Sequence, residues 1–308
     1  MRELTFFILY IILFLIAMRL LRSGLFKLTG EKLNSKLQTV TSTPIKGFFT
    51  GMIFTALLQS SSAVMVMTVG LVSVGALSFQ QSIGIILGSN IGTTVTAEFM
   101  TFSIKKWITP GLFIGFLLML INKEIFRAIG QSCFGLFLIF FAIQGFTSLA
   151  APLSEYPIFT LGLSFIEQHI FIAILVGAII TAIIHSGTAT IAIAMGFIAG
   201  EELSVLVGIA LMLGSNIGTC VTGYMASVGA GIEAKLTAYA HIWLNILGVA
   251  LFYPFIEQLH AAAAFFTDEK PIQLAHASVI FNVICSFLTF PFINLFSRFI
   301  VRLHGKKT

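Results

Sequence analysis

A stretch of 46 residues, Gly51 to Thr96, recurs 126 positions later as Gly177 to Thr222, aligned without a gap and with 19 identities. The match is densest where it is polar: Leu87-Gly88-Ser89-Asn90-Ile91-Gly92-Thr93 returns as Leu213-Gly214-Ser215-Asn216-Ile217-Gly218-Thr219. Two apolar segments of similar composition would share Ile, Leu and Ala. They would not share a polar heptad at a fixed distance from a second polar cluster, so the chain contains an internal duplication. That second cluster is Gln59-Ser60-Ser61-Ser62 in the first copy and His185-Ser186-Gly187-Thr188 in the second.

The setting of the repeat is apolar. Hydrophobic residues make up 57% of the 308 and charged residues 9%, against roughly 25% charged in a soluble domain. This excludes a soluble enzyme, a nucleic-acid binder and a disordered chain, and leaves a polytopic membrane protein. The net charge of +5 then reports orientation. Cys133, Cys220 and Cys285 lie far apart in apolar stretches, with no metal or disulfide spacing, and read as small buried hydrophobes. Leu4 to Ile16 is followed by Arg19 and Arg22 without a small-residue cleavage site, so a retained first helix is expected.

Apolar runs of crossing length fall at 4–21, 81–104, 128–149, 206–228, 237–259 and 273–297, with a shorter one at 107–122. The stretches 43–75 and 169–200 are each interrupted midway by a polar cluster. Their arms span only about 18–24 Å of helix, short of a hydrocarbon core of about 30 Å. Each is expected to be a helical hairpin that enters and leaves on one side.

The expected fold is all-α: a single transmembrane domain over 1–308, with repeat 1 at about 1–122, repeat 2 at about 128–259 and an extra helix at about 273–297. Three crossings per repeat is an odd number, so the second copy is expected upside down. With the N-terminus outside and the C-terminus cytoplasmic, twelve Lys and Arg fall inside, among them Arg22, Lys32, Lys36, Lys306 and Lys307, against four outside. Lys105 and Lys106 are the misfits to the positive-inside rule.

Inverted repeats with discontinuous helices are a transporter architecture, with the site between the copies. A broken helix frees amide N–H groups, and Ser or Thr beside them makes an oxyanion cradle. Candidate substrate residues are therefore Gln59, Ser60, Ser61, Ser62, His185, Ser186 and Thr188. The glycines around Ser-Asn are expected to unwind the following helix. Freed carbonyls there, with Ser89, Asn90, Thr93, Thr94, Ser215, Asn216 and Thr219, suit Na⁺ better than a divalent ion, since no carboxylate cage exists. Between Arg127 and Lys235 there is no Lys or Arg. The anion is therefore expected to be held by dipoles, hydroxyls and co-bound Na⁺, which couples the two ions.

Gln59-Ser60-Ser61-Ser62-Ala63 followed by Gly88-Ser89-Asn90-Ile91-Gly92-Thr93-Thr94, with its second copy, resembles the type II sodium/phosphate cotransporter family over essentially the whole chain. The resemblance implies Na⁺-driven import of inorganic phosphate at the plasma membrane, with both hairpin tips at the substrate and the Ser-Asn regions near Na⁺. The expected partners are phosphate, Na⁺ and the lipid bilayer, with homodimerisation allowed, no organic cofactor and no nucleic acid.

This chain departs from the family at the second tip, where His185 and Gly187 replace Gln and Ser, and at Cys220, which replaces the Thr94 equivalent. A carrier of another oxyanion or a dicarboxylate is the alternative. A channel is a remote one, since a repeat-related pair of hairpins suits alternating access better, and so is an intramembrane hydrolase using Ser186 with His185, because adjacent helical residues point about 100° apart. His185 is read either as a proton-sensitive donor or as a neutral stand-in for Gln. Glu98 is an intramembrane carboxylate and a functional candidate. Gln144, Asn245, His241, His276 and Asn282 read as interhelical hydrogen-bonding groups.

Overall fold

A computed structural model describes residues 2–29 and 43–305. Lys32, Lys36, Lys306 and Lys307, used above to set orientation, lie outside the described residues. Within the expected first repeat lie α1 (Arg2–Thr29), α2 (Pro44–Leu58), α3 (Ser61–Ser73), α4 (Phe79–Phe99) and α5 (Ile108–Leu120). Along the expected second repeat lie α6 (Glu124–Ser154), α7 (Pro157–Gln168), α8 (Ile170–Ile184), α9 (Gly187–Ala199), α10 (Val205–Ser227) and α11 (Ile232–Phe252). Then follow α12 (Ile256–Ala264), α13 (Lys270–Thr289) and α14 (Ile293–His304).

The offset of 126 is written into the backbone. It carries α2 onto α8 and α3 onto α9 residue for residue, and the first residue of α4 onto that of α10. The counterpart of α7 in the first copy, 31–42, lies outside the described residues.

Among the described residues, five helical stretches are long and apolar enough to cross a membrane: Arg2–Leu28, Glu124–Ser154, Val205–Ser227, Ile232–Ala264 and Lys270–His304. The regular structure of the described residues is all helical, and the chain is a multi-pass membrane protein. The last two stretches are not the uninterrupted runs expected from sequence. Short 3₁₀ turns at Tyr253–Phe255 and Phe290–Phe292 divide them, each around a proline that removes a helical N–H. Helix α4 is 21 residues long but is diluted by the Gln, Ser, Asn and Thr of the repeated motif.

One sequence expectation is overturned. Helices α4 and α10 run unbroken through Gly88–Gly92 and Gly214–Gly218. The glycines serve close packing instead. A Cβ on Gly88 would strike the Phe48 carbonyl, and one on Gly214 the Ile174 carbonyl. One turn on, Gly92 abuts Thr55 Cβ and Gly218 abuts Thr181 Cβ. Each glycine pair thus lets α4 lie against α2, and α10 against α8, backbone to backbone. Keeping both helices wound through the glycines also keeps the carbonyls there within the helical hydrogen-bond ladder.

The two copies interlock. Helix α3 of the first copy packs on α10 and α11 of the second, while α9 packs mainly on α6 and α10 of its own copy and reaches α4 of the first. A polar seam runs across this contact. Ser82 meets Thr237 at 2.9 Å and Ser286 donates to the Leu87 carbonyl at 3.0 Å. Asn90 reaches Asn245 at 3.5 Å, and Asn245 donates to Cys220 Sγ at 3.4 Å. Further out, Glu98 accepts the half-buried His276 ring at 2.9 Å, joining α4 to α13. Helix α14 closes on α11, where Trp243 Nε1 donates to His304 Nε2 at 2.9 Å and His304 stacks on Tyr239.

The copies differ at one turn. Gly75 has φ +71°, and its counterpart Glu201 is held at φ +62°. A side chain there costs about 1–2 kcal/mol. Its exposed ion pair with Lys270, at 3.8 Å, returns at most about 1 kcal/mol. After the extra unfolded-state freedom of glycine is subtracted, Glu201→Gly should stabilise the protein slightly. A rise of about 1–2 °C in melting temperature in detergent is expected.

Candidate functional site

Each helix break is built the same way. Gln59 and His185 take left-handed backbone conformations, at φ/ψ 52°/34° and 56°/29°, and end α2 and α8. Such a conformation is unfavourable for both residue types, so the surrounding fold must impose it. Ser60 and Ser186 then return to extended geometry and cap the next helix. Ser60 Oγ accepts from Ala63 N at 3.1 Å, and Ser186 Oγ accepts from Ala189 N at 3.2 Å. The polar clusters break the helices as their sequence implies, because Ser trades helical hydrogen bonds for a cap. Gln59 is buried and folds its amide back to the Ala56 carbonyl, whereas His185 is exposed.

The two breaks meet. Ser60 and Ala63 from the first copy and His185 and Ser186 from the second line one open cavity of about 510 Å³. The N-termini of α3 and α9 therefore bring their positive dipole ends to a common space. Ser61 and Ser62 are half-buried in the first turn of α3, and their hydroxyls have no hydrogen-bond partner among the described residues. Thr188 is buried in the first turn of α9. These three do not line the cavity wall itself.

A correction concerns charge. The second copy contributes no Lys or Arg to the cavity, but the first does. Arg19 and Arg22 of α1 line the cavity, and Arg22 Nε donates to the Gln59 carbonyl at 3.0 Å. The positive-inside rule assigns Arg22 to orientation alone and misses this contact. The available signal is the i, i+3 spacing, which puts Arg19 and Arg22 on one helix face.

The Ser-Asn residues lie beside the breaks. Thr55, four residues before Gln59, holds Ser89 hydroxyl to hydroxyl at 2.7 Å. In the second copy Thr181 instead holds Thr190 at 2.7 Å, a residue that sequence reasoning passes over because its counterpart is Val64. A Cβ on Gly187 would sit 2.9 Å from Thr219 Cγ2 and 3.6 Å from Ser215 Oγ. The second break therefore touches the second Ser-Asn motif.

Most of these side chains also bond their own helix. Thr93 donates to the Ser89 carbonyl, Thr94 to Ile91, Ser215 and Asn216 to Met212, and Thr219 to Asn216, at 2.7–2.9 Å. Their oxygens keep lone pairs, so a monovalent ion can still be ligated by side chains. Because α4 and α10 stay wound, they offer no freed main-chain carbonyls of the kind expected from unwinding. Among the described residues no group of three His, Cys, Asp or Glu is placed to hold a metal.

Comparison with known proteins fits this geometry. The profile of the Na+/Pi-cotransporter family matches residues 13–148 and 159–267. The chain is 40% identical over 290 residues to the uncharacterized protein YqeW of Bacillus subtilis, covering 94% of both chains. It is 24% identical over 283 residues to the "Putative inorganic phosphate export protein YjbB" of Escherichia coli K12, covering 91% of this chain and 52% of that one. It thus spans about half the length of YjbB. A 90-residue segment is 38% identical to the sodium-dependent phosphate transport protein 2A of Ovis aries, 28% of this chain and 14% of the other. No solved structure matches the chain significantly. The duplicated motif, the two capped breaks around one cavity and a family match across most of the sequence agree: the chain belongs to the Na+/Pi-cotransporter family.

Proposed function

We propose that the chain is a Na⁺-coupled symporter that imports inorganic phosphate across the plasma membrane by alternating access. The observation that carries this reading is the cavity shared by the two breaks, in a member of a family of sodium/phosphate carriers. In it the anion sits between Ser60 and Ser186, within reach of the first turns of α3 and α9 that carry Ser61, Ser62 and Thr188. Na⁺ binds through side-chain oxygens of Ser89, Asn90, Thr93 and Thr94, and of Ser215, Asn216 and Thr219. The pairs α2–α3 and α8–α9 act as re-entrant hairpins of two inverted repeats. Rocking one repeat against the other exposes the cavity to each face in turn. Each net charge moved adds about 2.3 kcal/mol per 100 mV of membrane potential.

Export is the second reading, favoured by the name of YjbB, which matches over 91% of this chain. Radiolabelled phosphate flux separates them. In proteoliposomes, influx should rise with an inward Na⁺ gradient and vanish when choline replaces Na⁺. Na⁺-independent flux would overturn the coupling, and sulfate flux without phosphate flux would overturn the anion. Net phosphate loss from preloaded cells on expression would replace import with export.

A further inference from the structure

The guanidinium of Arg22 has a setting that orientation does not explain. It is half-buried, it lines the cavity between the two breaks, and its Nε is tied to the carbonyl of Gln59. Among the described residues no carboxylate pairs with it, and no Asp or Glu lines that cavity. A half-buried cation without a counter-charge is better satisfied when an anion completes it. The Nε contact leaves both Nη groups, and a guanidinium fork matches two oxygens of a tetrahedral oxyanion. The same side chain also touches the left-handed residue that forms the first break.

Resting on the phosphate-carrier reading above, we infer that Arg22 is a direct ligand of the transported oxyanion. Its Nη groups bind two anion oxygens while Nε keeps the first break seated. Fixed positive charge, Arg22 with Arg19 on the same wall, thus stands in the site before Na⁺ arrives. Phosphate therefore binds weakly without Na⁺, and Na⁺ strengthens that binding instead of creating it. This replaces the expectation that anion binding depends wholly on co-bound cations.

The test is equilibrium binding of radiolabelled inorganic phosphate to the purified full chain, at saturating Na⁺ and in Na⁺-free choline buffer. Wild type should bind in both, more weakly in choline. Arg22→Gln keeps an N–H for the Gln59 carbonyl but loses the charge. It should weaken phosphate at least about tenfold at saturating Na⁺, the loss expected for charge-assisted hydrogen bonds. Its Na⁺ half-saturation at saturating phosphate should move less than about twofold. Lys27→Gln removes a charge from the same helix outside the cavity, where Lys27 bonds Gln131, and should leave phosphate affinity within about twofold.

Unchanged phosphate affinity in folded Arg22→Gln overturns the inference and leaves the transport reading standing. An equal loss in Lys27→Gln also overturns it, since bulk charge would then suffice. Should Arg22→Gln not fold, Arg22→Lys decides: several-fold weaker phosphate supports the fork, and wild-type affinity overturns it. Wild type that binds neither phosphate nor sulfate overturns the transport reading and the inference together.

Discussion

Gly88→Val and Gly214→Val should each destabilise the protein by about 3 kcal/mol, with most of the chain lost from the monodisperse peak in size-exclusion chromatography. Both sites press α-carbon against carbonyl: Gly88 on Phe48 of α2 and Gly214 on Ile174 of α8. The obstacle is backbone within a helix, which no side-chain rotation can clear. Seating a side chain means prising the paired helices apart, and that gap would also pull Thr55 from Ser89. Gly70 tests whether this is a general cost of removing glycine. It lies in α3, where an added Cβ would meet nothing within 4 Å, so Gly70→Ala should melt at the wild-type temperature or slightly above. Equal melting of all three variants would sink the packing account.

The paired variant Ser61→Ala with Ser62→Ala should lower Na⁺-driven phosphate uptake at least about tenfold while leaving the folded protein intact. The capping bond belongs to Ser60, so α3 keeps its N-terminus. Ser61 and Ser62 make no hydrogen bond to the described residues that their loss would break. Their hydroxyls stand where the helix N–H groups and dipole favour an anion. In the second copy, the residue at the Ser61 position, Gly187, abuts Ser215 and Thr219, which sets this turn beside the Ser-Asn motif as well. Wild-type uptake with an unchanged melting temperature would return Ser61 and Ser62 to the role of solvated first-turn residues.

The helix breaks and the duplication are legible in the sequence because both depend on local chemistry. Serine clusters interrupt apolar runs, and a constant offset of 126 places Gln59 over His185 and Ser60 over Ser186 in matching backbone conformations. The meaning of Gly88 and Gly92 is not legible there. Unwinding and close packing both call for a missing Cβ, and only the facing carbonyls of α2 decide between them. Arg22 misleads for a similar reason. Its position near the end of an apolar helix satisfies the positive-inside rule equally well with its head in solvent or turned into a cavity. Glu98 and His276 each stand out as polar residues in apolar helices, but 178 positions separate them and no periodicity links them.

The clasp between α11 and α14 makes the protein its own optical probe. The chain has two tryptophans. Trp107 is 66% exposed, whereas the indole of Trp243 is hydrogen-bonded to His304. Imidazole quenches indole emission more strongly once protonated. The fluorescence of a Trp107→Phe background therefore comes from one indole, beside the last turn of the final helix. Its intensity should report the seating of that helix against α11 without any attached dye.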